Sequence, residues 1–212
     1  MSNRPVRAPT PPRAWQRMLS GRRLDLLDPS PLDIEIDDIA HGLARVARWN
    51  GQTTGPHAFS VAQHCVVVEE LVRRLDPAIA PAWRLAALLH DAPEYVIGDM
   101  ISPFKAALGL DYHAFEDRLE RAVHLRFGLP PKPPAEVKRL IKSADRISAH
   151  YEAIELAGFS ETEAVTLFGR PPKAASGKLR PKLDPWSPSE AQARYLERFE
   201  TLSRLSRSSA SP

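Results

Sequence analysis

Pro81-Ala82-Trp83-Arg84-Leu85-Ala86-Ala87-Leu88-Leu89-His90-Asp91-Ala92-Pro93-Glu94 is the stretch on which the fold turns. Pro81 suits a first helical position, where its missing N–H would be unpaired anyway, and the residues after it are almost wholly apolar apart from Arg84. A helix apolar on nearly all sides belongs in a core. His90 and Asp91 stand where the run ends, because Pro93 lacks an N–H and its ring would meet the carbonyl of Leu89 if the helix continued straight. The stretch therefore predicts a buried helix from Ala82 to His90, then a kink or break that leaves a His-Asp pair at the end of a core element. Glu94 and Asp99 follow, close enough to converge on the same pocket.

Two other stretches offer partners. From Ser60 to Leu75, apolar Val61, Cys65, Val68, Val72 and Leu75 recur at the spacing of one buried helical face. His64 stands beside that face and should point to its interior edge. Ser60 with Gln63 matches a capping box, in which each side chain satisfies the other residue's backbone N–H. From Glu136 to Leu156, Val137, Leu140, Ile141, Ala144, Ile147, Tyr151 and Ile154 trace a second stripe before Gly158 closes the helix. Asp145 borders that stripe, in phase with Ile141 and Ser148. A carboxylate there is costly to desolvate unless something compensates its charge. Spacing leaves two compensations open, a bound cation or a salt bridge to Arg139, Lys142 or Arg146.

His64, His90, Asp91 and Asp145 come from three segments that only a packed fold can bring together. Two imidazoles and two carboxylates make a mixed nitrogen and oxygen shell that suits a borderline divalent ion, and a shell left incomplete by protein can carry water. Metal-assisted hydrolysis is the chemistry such a site implies.

With those residues in that order, the chain resembles the HD-domain phosphohydrolase superfamily, whose signature is a His, then His-Asp, then a distant Asp on a helical core. Ser60-Val61-Ala62-Gln63-His64 and Leu88-Leu89-His90-Asp91-Ala92-Pro93-Glu94 with Gly98-Asp99 look like segments of its 5'-deoxynucleotidase branch. Asp37-Asp38-Ile39-Ala40-His41, Arg48-Trp49-Asn50-Gly51-Gln52-Thr53 and Lys105 are similar to phage and bacterial relatives of dATP triphosphohydrolases. The resemblance spans roughly Gly21 to Gly158 and implies an all-α helical bundle with His64, His90, Asp91 and Asp145 as metal ligands. It implies Glu94 as the residue that handles the water or a proton, with Asp91 beside it in the catalytic group. It also implies Arg48 and Lys105 as phosphate-side cations, Trp49 near the sugar or base, and Asp99 near the sugar hydroxyls. For Arg48, the residues alone suggest a solvated helix end, since a cation there suits the helix dipole. Cys65 stands where a Ser is common, and Gly55-Pro56-His57 leaves the pocket shape open.

The expected function is a phosphohydrolase that uses a divalent ion (Mn, Co, Zn, Fe, Ni or Mg) to release phosphate from a deoxynucleotide monophosphate or triphosphate from a dNTP. A non-catalytic HD module that binds a nucleotide or metal is the alternative, although such a module has no chemical need for Glu94. The expected partner is a small nucleotide, with no stable nucleic-acid binding, no membrane, and a homo-oligomer left open.

Composition agrees. A chain of 212 residues, 43% of them hydrophobic, makes one domain with a sizeable core. The formal net charge of +3 accepts an anionic substrate without demanding a polynucleotide. Its one cysteine excludes an internal disulfide and suits the cytoplasm. No apolar run is long enough to span a bilayer, and the N-terminus lacks the apolar core of a signal peptide.

The expected organisation is a mobile segment over 1–20, an HD domain with a C-terminal helical extension over 21–205, and a disordered tail over 206–212. Leu24 to Ile36 suggests a short hairpin or a loop around Asp28-Pro29. Asp37 or Asp38 should cap a helix running to Ala47, and Asp111 should open a helix burying Tyr112, Phe115, Leu119 and Ala122 and ending at Gly128. Ser160 with Glu163 suggests a capping box for a helix through Phe168. Arg170 to Pro188 reads as a surface loop, followed by a final amphipathic helix with Ala191, Tyr195, Phe199 and Leu202. His41, His57, His113, His124 and His150 read as ordinary surface or core groups, with His57 nearest the expected site, and Cys65 reads as core.

Overall fold

The computed structural model describes residues 14–99, 112–172 and 179–209. Lys105 and Asp111 lie outside the described residues. The fold is an all-α bundle with a two-stranded antiparallel hairpin at its N-terminal end. The hairpin is β1 (Trp15–Arg17) and β2 (Arg23–Asp25), with Gln16 opposite Leu24. Its turn is therefore at Gly21, where φ is +88°, and not at Asp28-Pro29. Asp25 accepts hydrogen bonds from the N–H groups of Leu27 (2.9 Å) and Asp28 (3.0 Å), so the polar residues expected to close a hairpin instead lead the chain out of one.

Helix α1 (Ile36–Leu43) starts and ends earlier than expected, because Asp38 does not cap it. The Asp38 carboxylate accepts from the Ser20 N–H (2.9 Å) and hydroxyl (2.5 Å), tying the hairpin to the bundle. Arg48 therefore sits in a separate 3-10 turn, Arg48–Gly51, rather than at the end of this helix.

Helix α2 (Val61–Leu75) is the centre of the molecule, packed against α3 (Pro81–Leu88) and two later helices. Its Ser60 cap forms as expected, accepting from the Gln63 N–H at 3.2 Å. The other half of the expected box is missing. Gln63 donates instead to the Asp184 carbonyl (2.8 Å) and accepts from the Trp186 N–H (2.9 Å). Those bonds, with Leu179 and Leu183 buried, hold residues 179–187 against the bundle, so that part of the expected surface loop is a packed strap.

As expected, α3 begins at Pro81 and breaks before Pro93; a turn over 89–93 leads into the short α4 (Glu94–Ile97). Gly42 of α1 makes room for α4, since a Cβ on Gly42 would lie 2.8 Å from the Tyr95 Cβ. Then come α5 (Tyr112–Arg126), α6 (Ala135–Glu155), α7 (Glu161–Phe168) with its full Ser160/Glu163 capping box, and α8 (Pro188–Ser209). α6 lies along α2, and α8 covers α2 and α3. Buried Tyr195 of α8 donates its hydroxyl to the Leu88 carbonyl at 3.2 Å, pinning the end of α3 just before the His-Asp pair. α8 continues to Ser209, into the segment expected to be a tail. No helix among the described residues is long and apolar enough to cross a membrane.

Candidate metal centre

α2, the turn after α3, and α6 bring His64, His90, Asp91 and Asp145 together. His64 is wholly buried, whereas the Asp91 and Asp145 side chains are 23% and 18% exposed, so the group opens to solvent on its carboxylate side. His90 Nδ1 lies 2.9 Å from the Ala87 carbonyl, which can only accept, so the proton belongs on Nδ1 and the lone pair on Nε2. His64 Nδ1 lies 2.6 Å from Glu152 Oε1, and the same logic leaves its Nε2 as a ligand atom. Both Nε2 atoms are buried without a hydrogen-bond partner among the described residues.

What those nitrogens face is carboxylate. His64 Nε2 is 3.4 Å from Asp145 Oδ1 and 3.5 Å from Asp91 Oδ2, and His90 Nε2 is 3.2 Å from Asp91 Oδ2. Two ligand atoms each ~2.1 Å from one ion and roughly tetrahedrally disposed lie ~3.4 Å apart. The spacing, the orphaned nitrogens and the donor types fit a divalent ion, and each imidazole has its other nitrogen fixed, as metal-ligating histidines do. For Asp145, the two compensations left open by the sequence coexist. Its Oδ1 faces His64, while Lys142 Nζ holds its Oδ2 at 2.7 Å.

The electrostatics ask for a cation. Burial would raise the Asp91 pKa, but His90 and His64 hold it down to about 2. Burial likewise acts against Asp145 and Glu152, yet both stay ionised: His64 draws Asp145 well below the carboxylate range, and Arg48 with His64 does so for Glu152. The imidazoles respond in kind. Burial and the Arg48 charge oppose a proton on His64, but Glu152 and Asp145 prevail and raise its pKa. Burial opposes protonation of His90 too, and neighbouring Asp91 overcomes it, lifting the pKa well above the usual value. Without an ion, protons take the cation's place.

Of the other expected residues, Glu94 is buried at the start of α4 and its charge bears on the Cys65 thiol. Cys65 is core, as expected, but it also abuts the cluster, with ligand atoms of Cys65, His90 and Asp91 within 4.8 Å of one another. Burial pushes its thiol pKa to about 11, so it is protonated at neutral pH. Arg48 lies among Glu152, Asp99, Asp91 and Asp145, with Nη1 3.8 Å from Asp99 Oδ2. Its Nε and Nη2 both donate to Glu152 Oε2 at 3.2 Å, and Trp49 Nε1 donates to the same oxygen at 2.9 Å. The Trp49 ring packs on Phe159 (5.5 Å) and edge-on to Phe168 (5.7 Å). His57 is exposed.

Glu152 and Ser148, which contact His64, are the members of this cluster that the sequence motifs did not pick out. Glu152 follows Asp145 by seven residues and Ser148 by four, so all three share one face of α6, and that phase is the signal that points to it. Glu120 of α5 is a further carboxylate whose pKa burial raises, although the charges of Lys138 and His90 act to lower it.

Residues 61–150 match the HD domain, a span that holds all four proposed ligands but not Arg48, Trp49 or Glu152. The chain is 62% identical over 192 residues to an uncharacterized protein of Rhodobacter capsulatus, covering 91% of this chain and 97% of that one. It is 31% identical over 173 residues to the uncharacterized protein YfdR of Escherichia coli, covering 82% of this chain and 86% of that one. With its helical core and its converging His64, His90, Asp91 and Asp145, the chain belongs to the HD-domain family, a superfamily of metal-dependent phosphohydrolases.

Proposed function

We propose that the protein is a nucleotide phosphohydrolase, acting on deoxynucleotides as a triphosphohydrolase or a 5'-deoxynucleotidase. The observation that carries this reading is the juxtaposition of the ligand cluster with Arg48 and Trp49, the pair shared with the nucleotide-hydrolysing branches the sequence resembles. His64, His90, Asp91 and Asp145 would hold a divalent ion, which when bound would supply Lewis-acid chemistry: polarisation of a phosphoryl oxygen and a water pKa lowered from ~15.7 toward ~7. Glu94 takes up a proton from the attacking water or returns one to the leaving oxygen. Arg48 supplies a fixed positive charge on the phosphate side of a centre otherwise rich in carboxylates. Asp99, beside the guanidinium, serves the sugar hydroxyls, and Lys105 is assigned to a more distal phosphate. The expected setting is the cytoplasm.

Incubation of the purified protein with deoxy- and ribonucleoside mono- and triphosphates under Mn, Co, Zn and Mg tests this, with products separated by charge. Release of phosphate from a monophosphate, or of triphosphate from a dNTP, is the expected result and separates the two modes. No turnover of any nucleotide by metal-loaded protein would refute the proposal in favour of a binding module.

A further inference from the structure

We propose that Glu152 is a positioning residue for both halves of the site, aiming His64 at the ion and holding Arg48 and Trp49 toward the phosphate. The inference rests on the metal-centre reading above. Glu152 is 0% exposed, and its two oxygens receive five donor contacts. Oε1 takes His64 Nδ1 and the Ser148 hydroxyl, each at 2.6 Å. Oε2 takes Nε and Nη2 of Arg48 and the indole N–H of Trp49. A carboxylate offers about four lone-pair sites, so nothing on Glu152 is left to bind an ion or a substrate directly. Its action must pass through its partners.

The two oxygens divide the work. Through Oε1, Glu152 fixes the proton on His64 Nδ1, leaves the lone pair on Nε2 and raises the basicity of the ligand. Through Oε2, it takes the Nε proton and one Nη2 proton of the guanidinium, so a phosphate oxygen would be met by the second Nη2 proton or by Nη1, which lies 3.8 Å from Asp99 Oδ2. The same oxygen holds the indole of Trp49, whose φ of +57° and that of Asn50, +51°, are values non-glycine residues rarely adopt. Such a backbone persists only where its surroundings determine it, here the Glu152 bond and the packing on Phe159 and Phe168. His64 and the Arg48–Trp49 turn are thus set by one buried group on a third element, α6.

Zinc affinity of the chelator-stripped full-length protein, read by competition with a chromophoric chelator, tests this without requiring turnover. Glu152→Gln should lower zinc affinity ~10- to 100-fold, as loss of a ligand's supporting partner does, and should alter the visible spectrum of the cobalt-loaded protein. Glu152→Asp keeps the charge but shortens the reach, so a drop there separates positioning from simple loss of charge. Arg48→Lys, also charge-preserving, should lower zinc affinity severalfold through Glu152 although Arg48 is no ligand. If Glu152→Gln fails to fold, Ser148→Ala, which removes one donor from Oε1, should show the same shift on a smaller scale. Unchanged zinc affinity and cobalt spectrum in the Glu152 variants, or in Ser148→Ala where that variant stands in, would overturn the proposal. Unchanged affinity in Arg48→Lys would overturn the link between the halves. If the variants show these shifts while the wild-type protein binds zinc but hydrolyses no nucleotide, the nucleotide reading falls and the role of Glu152 stands.

Discussion

Asp91 faces both imidazoles, so its carboxylate is the charge on which the ligand cluster turns. Asp91→Ala should abolish turnover and tight metal retention while the far-ultraviolet circular dichroism stays helical. Metal analysis of the purified variant decides it, and full occupancy with normal activity would remove Asp91 from the site. Glu94→Gln should keep the metal and slow hydrolysis by ~100- to 10,000-fold, since the amide preserves shape but accepts no proton. Should the variant lose metal and regain its rate once metal is restored, Glu94 is a support rather than the acid/base group. The proposed ligands were legible because their residue types sit at the ends or edges of apolar stripes, where a charged or polar group needs a reason. Glu152 was not. In a helix that also carries Lys142, Arg146 and Glu155, one more carboxylate looks solvated, and only its phase with Asp145 sets it apart.

Between elements, α1 approaches α4 closely at Gly42, where the absence of a side chain makes the room. Gly42→Ala forces a Cβ against Tyr95, so it should destabilise the fold by ~1–3 kcal/mol and lower kcat by displacing the Glu94 helix. Urea denaturation with parallel assays measures both, and a variant of unchanged stability and rate would show that α4 moves aside freely. The long helices were readable from their apolar period, and Ser160 and Glu163 marked α7 correctly. The short N-terminal hairpin was legible as an element, but its position and the strap were not, for a common reason. Each depends on a side chain whose local signature promised something else: Asp38 and Gln63 look like cap residues, yet they bond across the chain to Ser20, Asp184 and Trp186. A local rule cannot see a competing partner more than 100 residues away, as for Gln63.

For the whole molecule, the all-α architecture followed from three apolar stripes, and bringing them together decided which carboxylates and imidazoles became neighbours. Those neighbours make stability depend on pH in a direction that the bound ion should reverse. In the metal-free protein, His64 and His90 have pKa values raised by carboxylates above the ~6.5 of an unfolded histidine. Their contribution is fully present below pH ~6.5 and is lost as pH rises through the folded values. Asp91, Asp145 and Glu152 are held below the ~4 of unfolded carboxylates, so their contribution is present above pH ~4 and is lost as pH falls toward ~2. Metal-free protein should therefore be most stable in mildly acidic solution. Metal ligation needs the imidazoles without a proton on Nε2, so an ion competes with protons there and binds more tightly as pH rises. The Tm of metal-loaded protein minus that of chelator-treated protein should widen steadily from pH ~5.5 to ~8. Thermal melts of the two forms across that range measure it. A difference that stayed flat or narrowed would mean that the ion is not held by these imidazoles, and that their unpartnered nitrogens belong to a charge network closed by protons alone.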